Sequence, residues 1–327
     1  MTACSVERME KPKEKKKRFT DIFCRGAMSG IFSVLCLSLL LFLLIFYSRE
    51  AGEFALSGMR LAVVTVIPTA FVSMLICDIY RVFGCPERIP VLGRIFSRIF
   101  GVSPYCLRAF VLGNLCGFPM GARELGAAYH DGLINRDEAE RMIPVCSNPS
   151  PTFVIGVVGG MIGDIHVGIT LFVCVFLSSC ICGVMGRKNR CYIDIPRIVL
   201  RQKYNLVESI RASGFSLISI FSFISAFAIP LGFVDKYLDF FPLKCVIFLV
   251  TEVTGAVNFF VTMWEYSPLF SGVGCAFALG FGGVSVMLQS VAFARDYGLS
   301  QRGYIYTKTL QGLICAVMYF CAFRFLL

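Results

Sequence analysis

Long apolar runs constrain this chain more than any other feature. Four of them, at residues 27–47, 57–80, 167–185 and 209–232, have the roughly 20 residues that a helix needs to cross a bilayer. Backbone polar groups inside a bilayer have no water to bond, so such runs fold as helices. A hydrophobic fraction of 57% and a mean hydropathy of +0.74 agree with this. We expect an all-α, polytopic, integral membrane protein in contact with the lipid bilayer.

The basic residues that flank these runs indicate which face of the membrane each end meets. Positively charged loops are retained in the cytoplasm, and two segments are rich in Lys and Arg, residues 11–18 and 187–211. We therefore expect a basic cytoplasmic tail at 1–26, a first transmembrane helix at 27–48, a basic cytoplasmic linker at 187–208, and both termini in the cytoplasm. No A-x-A-like site follows the first run, which favours an uncleaved helix over a signal peptide.

A polar, helix-breaking stretch at residues 113–151 interrupts the apolar chain. Gly117, Pro119 and Gly121 lie at the centre of a segment otherwise just long enough to span, where losing a backbone donor is least tolerated. This pattern favours a re-entrant helical hairpin with its tip at Pro119. The glycines also have a simpler explanation, because glycines at four-residue spacing let helices approach closely without any ligand.

The remainder of that stretch predicts a broken helix. Asn135 followed by Glu138 is a capping-box pattern for the start of a helix. About three turns later, Pro149 and Pro151 flank Ser150, and two prolines so close together must break the helix again.

The second half of the chain is predicted to repeat the first. Gly283 − Gly117, Gln289 − Arg123 and Gly298 − Gly132 each give 166, which predicts a second hairpin tip near 281–285, at Gly282 and Gly283. Residues 81–108 have five Arg and one Glu, whereas residues 235–265 have two cations and four acidic residues. The two segments should therefore face opposite sides, as in inverted repeats at 57–186 and 209–327. This gives about six spans, with residues 242–262 either spanning or lying in the interface.

Polar residues beside these breaks are the candidate substrate contacts. Secondary transporters place their sites where unwound backbone and helix ends meet at the midplane. Arg123, one turn after the first tip, is a cation at the positive end of a helix, which a bound anion would stabilise. It could instead belong to a structural ion pair or snorkel to the interface. The full set of candidate substrate contacts is Arg123, Asn114, Asn148, Ser150, Ser285 and Gln289.

Several of these residues have alternative roles. Asn148 and Ser150 could cap the half-helices instead of contacting a solute. Glu124 and Glu252 could carry a coupling ion or proton, although Glu252 could equally lie at the outer surface. The backbone positions of the predicted site are Gly117, Pro119, Gly121, Pro149, Pro151, Gly282 and Gly283.

Other chemistries have no pattern to support them. Only two His occur, at no ligand spacing, and the 16 Cys are scattered through apolar segments without a C-x-x-C. We expect no metal, no cofactor, no nucleic-acid partner, no disulfide framework and no enzymatic activity.

The broken stretch resembles a known family. GNLCGFPMGARE followed by SNPSPTFVIG is similar to a motif of the sporulation integral membrane protein YlbJ family, in the nucleoside-recognition (Gate) domain group. FLVTEVTGAVNFF and FGGVSVMLQS resemble two further segments of that family, in the same order. The resemblance covers roughly residues 57–327 and implies a fold related to concentrative nucleoside transporters. It also implies transport of dipicolinic acid in sporulation, across a bacterial cell or forespore membrane.

The sequence therefore predicts a transporter of a small organic anion, dipicolinic acid, working by alternating access between two hairpin tips. The alternatives are a nucleoside or other small-solute symporter, in which Glu124 or Glu252 would matter more than Arg123, and a non-transporting membrane scaffold of a sporulation assembly. The oligomeric state is not predicted.

Overall fold

The computed structural model describes residues 27–83, 90–187, 206–300 and 303–324, and in these ranges the ordered elements are helices. The predicted tail at 1–26 and most of the predicted linker at 187–208 lie outside the described residues. The chain divides into two compact units, residues 1–51 and 52–327. In the first unit, α1 (Ala27–Phe46) exposes apolar side chains such as Leu37 and Ile45, by 66% and 63%.

The second unit begins within a long bent helix. α2 (Ser48–Leu61) continues through a π-helical turn, Ala62–Val66, into α3 (Ile67–Phe83), with a bend of 44°. The short amphipathic α4 (Pro90–Phe100) follows and buries Phe96 and Phe100.

Two short helices then fold back on each other. α5 (Cys106–Cys116) and α6 (Met120–His130) have 11 residues each and pack together. At 1.5 Å per residue, neither is long enough to cross a bilayer alone. They are joined by residues 117–119, which we call the first tip. Its position agrees with the predicted tip at Pro119.

A broken helix follows this pair, as the sequence predicts. α7 (Arg136–Val145) starts with a capping box in which Asn135 accepts from the Glu138 N–H at 2.9 Å and Glu138 accepts from the Asn135 N–H at 3.0 Å. The helix stops at residues 146–151, the first break, where Pro149 and Pro151 lie. It resumes as a π-helical segment, Thr152–Val158, and α8 (Gly159–Ile162), before α9 (Ile165–Met185).

The second half has the same order of parts. After α10 (Leu206–Tyr237), the short α11 (Phe241–Thr251) and α12 (Val253–Val261) pack against each other and are joined at Glu252, the second tip. A long helix follows, α13 (Pro268–Phe281) and α14 (Gly283–Asp296), interrupted at the second break, Gly282–Gly283. α15 (Tyr304–Phe323) completes the described chain.

This arrangement corrects the prediction of a hairpin tip at 281–285. α13 and α14 form one candidate span of 29 residues, Pro268–Asp296, and do not fold back. The fold-back of the second half lies at Glu252, inside the segment 242–262 that we expected to span or to lie in the interface. By order of parts the first tip matches the second tip, and Glu252 − Gly117 gives an offset of 135 instead of 166.

Within the described ranges, four helices are long and apolar enough to cross a membrane: Ile165–Met185, Ser213–Tyr237, Pro268–Asp296 and Tyr304–Phe323. The bent helix at residues 48–76 would make a fifth. An all-α membrane protein is therefore supported, and α1, with 20 mostly apolar residues, would be a further candidate span. The main core lies among α9, α13 and α15, where Gly272 leaves room for the buried ring of Tyr319.

Candidate functional site

The first tip lies directly against the first break. The Phe118 N–H donates to the Asn148 carbonyl at 3.0 Å. Gly117 has φ +81° and ψ 176°, and a Cβ there would lie 3.0 Å from the Ser150 nitrogen. Only glycine combines this conformation with such a close approach.

The glycines on either side of the first tip serve packing. A Cβ on either Gly113 or Gly121 would collide with the carbonyl oxygen of Cys146. These positions therefore bring α5 and α6 against the C-terminal end of α7, as expected for glycines at helix contacts.

The second tip lies against the second break in the same way. A Cβ on Gly283, whose φ is +78°, would lie 3.0 Å from the Thr251 carbonyl and 3.1 Å from the Glu252 Cα. The Glu252 carboxylate caps α12, since its two oxygens accept from the Thr254 N–H at 2.9 Å and the Gly255 N–H at 2.6 Å. Glu252 is 3% exposed. It is therefore buried in the protein, unlike in the alternative that placed it at the outer surface.

One pocket is lined by the first tip, the first break and the second tip, together with Gln289 of α14. Its empty volume is about 480 Å³, which includes space that is open to solvent. Helices α3 and α10 complete its wall with apolar side chains. The lining residues are Val66, Ala70, Cys116, Gly117, Phe118, Pro149, Ser150, Phe153, Ile220, Ile224, Glu252, Thr254 and Gln289.

Three of the predicted polar residues reach this pocket: Ser150, Glu252 and Gln289. Ser150 also caps the segment after the first break, because its Oγ accepts from the Phe153 N–H at 3.3 Å. Gln289 is 2% exposed; its Nε2 donates to the Ser285 Oγ at 3.4 Å, and its Oε1 is buried without a hydrogen-bond partner. A buried acceptor left without a donor is costly, so a donor from a solute would satisfy it. Ser285, completely buried, supports Gln289 and does not line the pocket.

Arg123 and Glu124 lie on α6, away from the pocket lining. The Arg123 N–H donates to the Pro119 carbonyl at 3.2 Å, and its Nη1 lies 3.9 Å from the Met120 sulfur. Glu124 is fully buried, with its Oε2 3.0 Å from the Nε of Arg108. Glu124 is thus a member of a structural ion pair with a residue that the sequence analysis did not single out.

Asn148 and Asn114 belong to a buried polar network behind the first break. Asn148 Nδ2 lies 3.0 Å from Asn114 Oδ1, 2.9 Å from the Val145 carbonyl and 3.0 Å from Ser179 Oγ, and its two N–H groups are shared among these three acceptors. Asn148 Oδ1 accepts from Lys308 and Gln311 on α15. Neither Asn148 nor Asn114 lines the pocket. Their side chains stabilise the first break and do not face the pocket.

Lys308 and Gln311 were missed at the level of sequence. They stand three residues apart in an otherwise apolar helix, and an ionisable residue inside a candidate span is itself a signal of function. Cys116, on the pocket wall, is disulfide-bonded, whereas the sequence analysis predicted no disulfide framework. In the described ranges, no group of three or more His, Cys, Asp or Glu side chains is arranged to hold a metal ion.

Comparison with protein-family models, with curated proteins and with solved structures finds no match to this chain.

Proposed function

We propose that this chain is a membrane transporter that holds a small solute in the pocket lined by the two tips, the first break and α14. The observation that carries the proposal is the shared lining: Gly117 and Ser150 from the first half face Glu252 and Gln289 from the second half. Non-helical backbone at membrane depth is tolerated only where it is buried in protein or lines a cavity. Secondary transporters build their solute sites from such discontinuous helices.

The two short helix pairs fit re-entrant hairpins within this proposal. α5–α6 and α11–α12 are each too short to span and are each followed by a broken helix and a full span, α9 and α15. The halves then correspond with an offset near 135 residues, and relative movement of the two halves would alternate access to the pocket.

The lining favours a neutral, ring-containing solute with N–H or O–H donors, such as a nucleoside. Glu252 and the free Oε1 of Gln289 offer acceptors, and Phe118 and Phe153 offer aromatic surface. The residues that line the pocket include no Lys or Arg. Glu252 also remains the candidate for a coupling proton or ion, because it lies in the pocket while Glu124 is paired with Arg108.

Dipicolinic acid is the second candidate solute, and a role in sporulation at a bacterial cell or forespore membrane goes with it. The motif resemblance and the aromatic walls favour this candidate. A dianion requires a cation, and Arg123, one turn beyond the first tip, is the residue on which this candidate depends.

Uptake into proteoliposomes tests both candidates. Radiolabelled nucleosides and dipicolinate would be compared for the wild type, Glu252→Gln, Gln289→Ala and Arg123→Ala, with Glu265→Gln as a matched control on an exposed turn. Losing one solute hydrogen bond should weaken apparent affinity by about tenfold. The neutral-solute proposal requires nucleoside uptake that Glu252→Gln and Gln289→Ala reduce and Glu265→Gln does not.

Two other outcomes would replace that proposal. Uptake of dipicolinate that depends on Arg123 and ignores Gln289 would favour the anion. A chain that binds and moves neither solute, and whose cellular role survives Gln289→Ala, would be a membrane scaffold instead.

A further inference from the structure

A buried ammonium group lies behind the first break. Lys308 on α15 is 1% exposed. Its Nζ donates to the Ser147 carbonyl at 2.8 Å, to Gln311 Oε1 at 2.9 Å and to Asn148 Oδ1 at 3.2 Å. An ammonium has three N–H donors, so these three oxygens satisfy it completely.

The acceptors around Lys308 carry no formal charge. Among the described residues, its Nζ contacts the three oxygens above, and no carboxylate forms an ion pair with it. A buried Lys in a membrane protein is usually paired with an acidic group or serves a function. Here the positive charge is held by oxygen dipoles alone.

The position of these oxygens explains how a cation is stabilised without a carboxylate. α7 ends at Val145, which frees the carbonyl of Ser147, and the negative end of the α7 dipole points towards the break. Asn148 Oδ1 is held in place by Gln311 Nε2 at 2.7 Å, and Asn148 Nδ2 is anchored on the Val145 carbonyl. Unwound carbonyls and the C-terminal ends of half-helices are the groups with which secondary transporters coordinate Na⁺.

We infer that the oxygens of Ser147, Asn148 and Gln311 form a monovalent-cation site that the chain fills with the Lys308 ammonium. The first break therefore exchanges no metal cation, and its geometry does not depend on Na⁺ in the medium. This inference concerns cation binding by the folded chain. It stands whether or not the proposed transport is observed.

Removing the side chain should convert the built-in cation into an exchangeable one. The full chain, purified in detergent, would be unfolded thermally in sodium, potassium, methylammonium or choline chloride at equal ionic strength. Lys308→Ala should have a lower Tm than the wild type in choline and recover part of the loss, saturably, in sodium or methylammonium. Choline is too large for the vacated space.

Two matched variants separate cation binding from packing and from general salt effects. Lys308→Met keeps most of the volume without the charge, so it should be destabilised with no cation-specific recovery. Lys244→Ala removes a lysine from the Asp235 contact near the surface, and its Tm should not distinguish sodium from choline.

The inference is overturned if the Tm of Lys308→Ala falls below that of the wild type by the same amount in every salt. It is also overturned if Lys308→Met is as stable as the wild type. It is overturned as well if sodium stabilises the Glu252→Gln variant over choline, because Lys308 is intact there, the filled site has no room for the ion, and the pocket carboxylate that could bind it is removed. That last measurement stands even where Lys308→Ala does not fold.

Discussion

At the scale of single residues, Asn148 connects more of this structure than any sequence motif indicates. Its amide bonds to Asn114, Val145 and Ser179 on one side and to Lys308 and Gln311 on the other. The residue joins the first break to α5, α9 and α15. From its position beside two prolines, the sequence analysis predicted that Asn148 contacts a solute or caps a half-helix. It did not predict a connection between helices.

Replacing Asn148 should therefore reduce stability. Asn148→Ala leaves several buried polar groups without partners, at about 1–3 kcal/mol for each. We expect a clear fall in the free energy of unfolding, measured by thermal unfolding in detergent. Asn258→Ala, at an exposed position on α12, is the control and should change little. If both variants lowered the free energy of unfolding equally, Asn148 would not be the residue that connects these helices.

The sequence could not reveal which oxygens meet Lys308. A lysine in an apolar helix can also snorkel to the interface, and only the fold decides which occurs. Ser147 and Gln311 lie 161 and 3 residues away from Lys308 along the chain, so no local pattern records the cluster. Arg123 was a candidate because its location relative to a helix end can be read from the sequence. That it does not line the pocket cannot be read from the sequence.

At the scale of elements, breaks made by proline were predictable and breaks made by glycine were not. Proline lacks an N–H, so Pro149 and Pro151 end a helix wherever it runs. Gly282 and Gly283 only permit positive φ, and here the helix continues beyond them as part of one span. The true fold-back is at Glu252, whose extended φ of −151° and capping carboxylate end one helix and begin the next. Without a proline or glycine at that tip, the sequence did not indicate a reversal.

The contact between the first tip and the first break can be tested with two glycines. Gly117→Ala and Gly132→Ala both place a side chain at positive φ, and the cost is higher at Gly117, because its ψ of 176° lies in a region that is essentially open to glycine alone. Only Gly117→Ala also crowds Ser150, since a Cβ on Gly132 has nothing within 4 Å. We expect Gly117→Ala to be the more destabilised in thermal unfolding, by about 1–3 kcal/mol. A larger loss for Gly132→Ala would contradict the close approach of tip and break.

At the scale of the whole molecule, the order of spans determines the side on which the chain ends. The positive-inside rule predicts that the basic segment that follows α9 is cytoplasmic. α10, α13–α14 and α15 then give three candidate crossings. α11 and α12, of 11 and 9 residues, are each too short to cross alone. If they add no crossing, we expect three crossings to place the C-terminus outside, whereas our expectation of a cytoplasmic C-terminus depended on a hairpin at 281–285.

Reporter fusions decide between these topologies. A phosphatase that is active only outside the cytoplasm should be active when fused after residue 327 and inactive when fused after residue 187. A fluorescent protein that matures only in the cytoplasm should give the reverse. Fluorescence from both positions would mean that α11–α12 crosses the membrane after all.

The Lys308 network also has a consequence for how the chain is made. Asn148 leaves the ribosome 160 residues before Lys308, which at about 5–20 residues per second is a delay of roughly 10–30 s. During that interval the oxygens of the first break have no ammonium to bind, so the first half enters the membrane with its polar interior unsatisfied. Any truncation before α15 would make that state permanent, and such products should be substrates for membrane quality-control proteases.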